Sequence, residues 1–118
     1  MTSYQAGGLG DDSLRILIEH GVAVETTDYV RAMMSQALKE APDTVLSAFV
    51  RINRQSGMTS RPFSARANIN VRGRLLCIQI AGTTAREATD LLAERTQRRL
   101  QRIAEHWDEN SVRLPERV

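Results

Sequence analysis

The chain has 118 residues, a length that suits one domain with a modest core. Its 42% apolar and 25% charged content is ordinary for a folded domain, and no apolar run approaches the ~20 residues needed for a membrane-spanning helix. A formal charge of only +2 points to no anionic partner by itself, and one cysteine excludes an internal disulfide.

Residues 1–12 are polar and glycine-rich and read as a flexible leader. They have neither the basic start nor the apolar stretch of a signal peptide, so a cytoplasmic location is expected. "LRILIEH" alternates Leu14, Ile16 and Ile18 against Arg15 and Glu19, the period of a strand, and "VAVE" beyond Gly21 is expected to continue or bend it. "TTDYVRAMMSQALKEAP" reads as a helix capped by Thr26 or Thr27 and ended by Pro42. Its apolar stripe is Val30, Met33, Met34, Ala37, Leu38 and Ala41.

"TVLSAFVRINR" is a second strand, with Leu46, Ala48, Val50 and Ile52 on one side and Ser47, Phe49, Arg51 and Asn53 on the other. After the loop "QSGMTSRP", "FSARANINV" alternates Ala65, Ala67, Ile69 and Val71 with polar residues. Arg72-Gly73 makes a tight turn into "RLLCIQIA", where Leu76, Ile78 and Ile80 point inward. These three strands form an antiparallel meander with one apolar face. A long second helix follows, opened by Thr84 and Glu87 as a capping box, and residues 108–118 read as a linker-like tail. The expected fold is α+β, in the order β-α-β-β-β-α, with both helices packed on one face of a four-stranded sheet and a single domain over residues 13–107.

At ~100° per residue, the last helix has three faces. Ala85, Ala88, Leu92, Thr96, Leu100, Ile103 and Trp107 gather on the core side. Arg95, Arg98, Arg99 and Arg102 form a stripe of their own, and Glu87, Asp90, Glu94 and Glu105 occupy the remaining sector, with Arg86 near its boundary. A face built only for solubility more often interleaves the signs, as in the available Glu94–Arg98 pair. On the first helix Arg31, Ser35 and Lys39 form a second line, expected on the same outer surface. Fifteen of the sixteen basic residues are arginine, whose planar fork grips phosphate oxygens two at a time, although the codon usage of a GC-rich genome is the simpler explanation of the bias. No aromatic residue is interleaved with the stripe, so the surface suits folded or duplex RNA rather than stacked single strands.

Other chemistry finds little support. Cys77 with His20 or His106 could pair a thiol with a base, but Cys77 falls inside an apolar strand. Two histidines and one cysteine make no convincing metal site, and "GGLG" at 7–10 follows no strand. The chain does not read as an enzyme, and no cofactor, metal or small-molecule substrate is implied.

The element order, with "GVAVETTDYVRAMMSQAL", "SARANINVRGRLLCIQIAG" and "EATDLLAERTQRRLQRI", resembles the N-terminal domain of the ribosome hibernation promoting factors, a bacterial family of ribosome-associated inhibitors. The likeness covers about residues 14–107 and is most specific in the last helix, where Ala88, Thr89 and Asp90 sit at the family's A-I-D positions. Arg99 stands where the family has glutamine, and Thr89 and Thr96 replace apolar residues. The resemblance implies a stress-response domain that lodges in the small ribosomal subunit, covers the decoding region and blocks translation by occupancy. By position, the ribosomal-RNA contacts would be Arg31, Lys39, Arg86, Arg95, Arg98, Arg99 and Arg102. Long family members add a C-terminal dimerisation domain, which would lie beyond Val118 if the chain is a fragment. The fold is also similar to double-stranded RNA-binding domains, which lack the first strand. Two other readings fit the same arginines: a general binder of structured or double-stranded RNA, and an interaction module for an acidic protein.

Overall fold

Alternating strands leave one apolar face, and that face dictates the architecture. The computed structural model describes residues 13–107, so the leader and tail expected at 1–12 and 108–118 lie outside the described residues. The elements are β1 (Leu14–Ile18), α1 (Thr26–Leu38), β2 (Val45–Arg54), β3 (Phe63–Val71), β4 (Arg74–Gly82) and α2 (Ala85–Ala104). They form one sheet in the order β1-β2-β3-β4. β2, β3 and β4 are antiparallel, whereas β1 runs parallel to β2 at the sheet edge, with Leu14 opposite Ala48. A parallel pair cannot be closed by a hairpin, and α1 supplies the crossover.

Both helices cover the same face, α1 over β1 and α2 over β3 and β4, and they pack against each other. Val30, Met34 and Leu38 from α1, Leu92 and Leu100 from α2, and Val50, Ile52 and Ile69 from the sheet are buried together. At the hairpin tip Arg72 and Gly73 both take positive φ, 52° and 97°, as a two-residue turn matched to the strand twist requires. The Asn70 carboxamide oxygen accepts from the Gly73 N–H at 2.7 Å and closes that turn.

Several local expectations are corrected. "VAVE" forms turns rather than strand, because Val22 bonds back to Glu19, Thr26 to Ala23 and Thr27 to Val24. The same bonds satisfy the first N–H groups of α1, so neither threonine caps it; Glu25 holds the cap position without a side-chain bond. α1 ends at Leu38, ahead of Pro42, and i→i+3-type bonds from Lys39, Glu40 and Ala41 tighten its last turn. In β2 a bulge between Val45 and Ser47 puts Val45 inside and turns Leu46 outward. Cys77 lies on a strand but is exposed on the open face.

α2 starts as its sequence implies. Thr84 accepts from the Glu87 N–H at 3.0 Å, and Glu87 reaches back to the Thr83 N–H at 2.6 Å and its hydroxyl at 2.8 Å. Only the return bond departs from the usual reciprocal pair, reaching Thr83, one residue before the N-cap, instead of the Thr84 N–H. Those bonds hold the Glu87 carboxyl below the usual carboxylate range, the Thr83 N–H contributing most. The other end is tied to the chain between α1 and β2, where the Trp107 indole N–H donates to Asp43 at 3.2 Å. Asp43 is also held below its ordinary value, first by the Thr44 N–H and then by Trp107.

Thr89 and Thr96 both lie in the helix–sheet interface, fully buried. Thr89 donates back to the Ala85 carbonyl at 2.8 Å, whereas the Thr96 hydroxyl has no partner. Gly82 permits a closer contact: a Cβ there would lie 2.7 Å from the Ala88 nitrogen and 2.9 Å from its Cα. Gly82→Ala should therefore force α2 off the sheet and lower unfolding free energy by about 1–3 kcal/mol. Thr96→Val, of similar shape and without the orphan hydroxyl, should raise it by about 1 kcal/mol. Urea unfolding of the two variants beside the parent checks both signs.

Candidate nucleic-acid interface

Twenty residues of α2 present the arginine stripe on a rigid rod whose inner side is fixed by Leu92, Thr96, Leu100 and Ile103. Arg95, Arg98, Arg99 and Arg102 are all exposed. Arg98 bonds Glu94 at 2.7 Å, a solvated i,i+4 pair of the kind worth little. Among the described residues Arg95, Arg99 and Arg102 have no carboxylate partner. Four guanidinia within about two turns, three of them uncompensated, make a local positive field that the chain's +2 conceals. Five acids (Asp11, Asp12, Asp108, Glu109, Glu116) but only two bases, Arg113 and Arg117, lie outside residues 13–107, so the described part is more basic than the whole.

The remaining candidates do not join this cluster. Tyr29 of α1 meets Asp90 of α2, and Glu40, in the turn just past α1, meets Gln101, which fixes the facing sides of the two helices. Turning each helix from these contacts at ~100° per residue places the stripe on the flank of α2 away from α1. Arg31 and Ser35 fall on the flank of α1 away from α2, and Lys39 continues that line as the residue that caps the helix. Arg31 is half-buried there and donates to the Leu14 carbonyl of β1 at 3.3 Å. The two basic lines expected on one surface thus stand on opposite flanks, with the Asp90 and Glu94 sector between them.

Arg86 occupies a third place, in the groove between the helices. Its guanidinium carbon lies 4.5 Å from the centroid of the Tyr29 ring, a cation–π contact. The Tyr29 hydroxyl donates to the Asp90 carboxylate, tying α1 to α2. Sequence spacing along one helix could not show this aromatic beside a basic residue, because the ring comes from the other helix. The hydrogen bond to Asp90 pushes the Tyr29 phenol above its ordinary value, with burial adding to the rise and Arg86 opposing it.

The supposed thiol–base pair is not assembled. Cys77 is on β4 and His20 follows β1, so they sit at opposite edges of the sheet. His106 follows α2, on the helix-covered side of the sheet, while Cys77 faces outward from the other. Among the described residues no helix is long and apolar enough to cross a membrane.

With this geometry in place, solved structures give a match. The N-terminal domain of Thermus thermophilus Protein Y aligns with a TM-score of 0.60 and 13% identity, covering 75% of this chain and 94% of that one. A ribosomal subunit interface protein from Coxiella burnetii aligns with a TM-score of 0.60 and 10% identity, covering 75% and 93%. The chain shares their fold. By sequence, no family model and no curated protein matches it.

The Tyr29–Asp90 bond carries a pH signature. Because the folded protein keeps the phenol protonated to higher pH than the unfolded chain, its contribution is complete below about pH 10 and is lost as pH rises beyond that. Tyr29→Phe keeps the ring beneath Arg86 and removes the hydroxyl. It should lower stability by about 0.5–1 kcal/mol at neutral pH and abolish this alkaline loss, as read from urea unfolding between about pH 7 and 11.

Proposed function

We propose that residues 13–107 form a ribosome-binding domain of the hibernation factor type. It occupies the small subunit at the decoding region, where messenger and transfer RNA would bind, and halts translation in the bacterial cytoplasm under stress. The observation that carries this reading is the exposed stripe Arg95, Arg98, Arg99 and Arg102, three of its four guanidinia uncompensated, held on a fold shared with a ribosomal subunit interface protein. Arg86, Arg31 and Lys39 would make separate contacts from the helix groove and the far flank. Nothing in the scheme requires chemistry: ribosomal RNA phosphates replace solvent around the guanidinia, and the bound domain fills the channel.

The stripe offers no ring for base stacking, which favours folded RNA read through phosphate positions. Arginine is suited to such contacts because one guanidinium can donate to two phosphate oxygens. The seat on α2 also fixes the spacing between successive forks, so a folded RNA with matching phosphates is preferred over an arbitrary duplex.

Co-sedimentation with small ribosomal subunits over a salt series tests the reading. Changing Arg95, Arg98 and Arg102 together to alanine should flatten the log–log salt dependence by about 2–3 units and release the protein at moderate salt. Unaltered binding of that variant would sink the proposed surface. Equal competition by unrelated duplex RNA would favour a general RNA binder, and a complex that survives RNase would favour an acidic protein partner.

A further inference from the structure

The sheet face turned away from the helices carries a second cationic feature. Arg51 of β2 and Arg66 of β3 stand directly opposite each other, both exposed. Like charges at a cross-strand position about 5 Å apart repel, so the pair opposes folding. Glu19 answers Arg51, accepting from its Nε at 2.7 Å, but among the described residues Arg66 has no ion-pair partner. The two guanidinia border a depression of about 130 Å³ completed by Asn53, Gln55, Ser64 and Gln79. Every one of these side chains can donate a hydrogen bond and none is a carboxylate, which is the complement of a phosphate diester.

The next row of the same face differs in character. Arg15, Phe49, Asn68 and Cys77 lie side by side across the four strands. Phe49 is 37% exposed at the centre of the open face, with a guanidinium on one side and a carboxamide on the other. The rows are about 7 Å apart, two residues along a strand. An extended polynucleotide can span that gap, placing a phosphate between Arg51 and Arg66 and an adjacent base on Phe49. A duplex cannot, because its bases are stacked inside. The aromatic ring that the helix stripe lacks is therefore on the opposite side of the molecule.

We propose that the open sheet face binds single-stranded RNA, with Arg51 and Arg66 holding a phosphate, Phe49 stacking a base, and Asn68 and Arg15 flanking that base. The choice of RNA over DNA rests on the ribosomal reading of the helix face; the surface itself does not.

The test is titration of the full ¹⁵N-labelled chain with an eight-nucleotide single-stranded oligouridine RNA at low salt. Amide shifts should centre on Phe49, Arg51, Arg66, Asn68 and Gln79. Phe49→Ala should weaken binding by about fivefold or more, the loss of one stacked base. Arg66→Ala should lower the log–log salt slope by about 0.7, as for one phosphate of a single strand. Both residues are exposed, and unchanged urea midpoints would verify that both variants fold. Shifts confined to α2 would overturn the proposal, as would Phe49→Ala binding like the parent. Equal affinity at the same amides for inorganic polyphosphate or a phosphoserine peptide of matched charge would also overturn it, since neither offers a base. The triple α2 variant separates the two readings: it should keep octamer binding at the sheet even where it no longer sediments with small subunits.

Discussion

The contact between Gly82 and Ala88 positions nearly everything on the outer side of α2. The helix starts so close to β4 that a single added methyl would meet backbone atoms. Thr84 and Glu87 then fix the first turn by hydrogen bonds, and Leu92, Thr96 and Leu100 hold the same phase along the sheet. With the inner side locked, the direction of Arg95, Arg98, Arg99 and Arg102 is no longer free. A surface of long, flexible side chains gains its order from a glycine and an alanine at the other end of the helix.

A one-sided sheet also leaves two outer surfaces to be filled. The helix layer sorts its charges, with acids along the top of α2 and arginines down one flank. The open sheet face uses amides, hydroxyls and arginines, and among the described residues Glu19 at the β1 edge is its one carboxylate. A protein selected only for solubility would mix signs on both. Here the cations on each side are left partly uncompensated, so the electrostatics favour anions on both surfaces while the total charge stays small.

Much of this was legible from periodicity. The element order, the inward residues of β3 and β4, the Arg72-Gly73 turn and the three faces of α2 follow from spacings of two or about 3.6. Leu46 was misplaced because "TVLSAF" offers two adjacent apolar residues, and only the bulge opposite Val71 selects Val45. The exposure of Cys77 was readable, since Leu76 and Ile78 point inward and the residue between them must point out. What no single element could reveal was how the elements meet: the parallel partner of β1, the Tyr29 ring under Arg86, and the separation of the two basic lines. Those depend on which side of each helix faces the other, a property of packing rather than of spacing.

The parallel placement of β1 has a consequence for how the chain is made. Leu14 leaves the site of synthesis well before Ala48, its partner, exists. β3 and β4, by contrast, close over a two-residue turn as soon as both have emerged. The first strand therefore waits with unpaired backbone groups, in the condition that invites wrong pairing. Arg15 and Glu19 interrupt its apolar side chains, and Arg31 occupies the Leu14 carbonyl once α1 has folded. The charges along this short edge guard a strand that must wait for its neighbour.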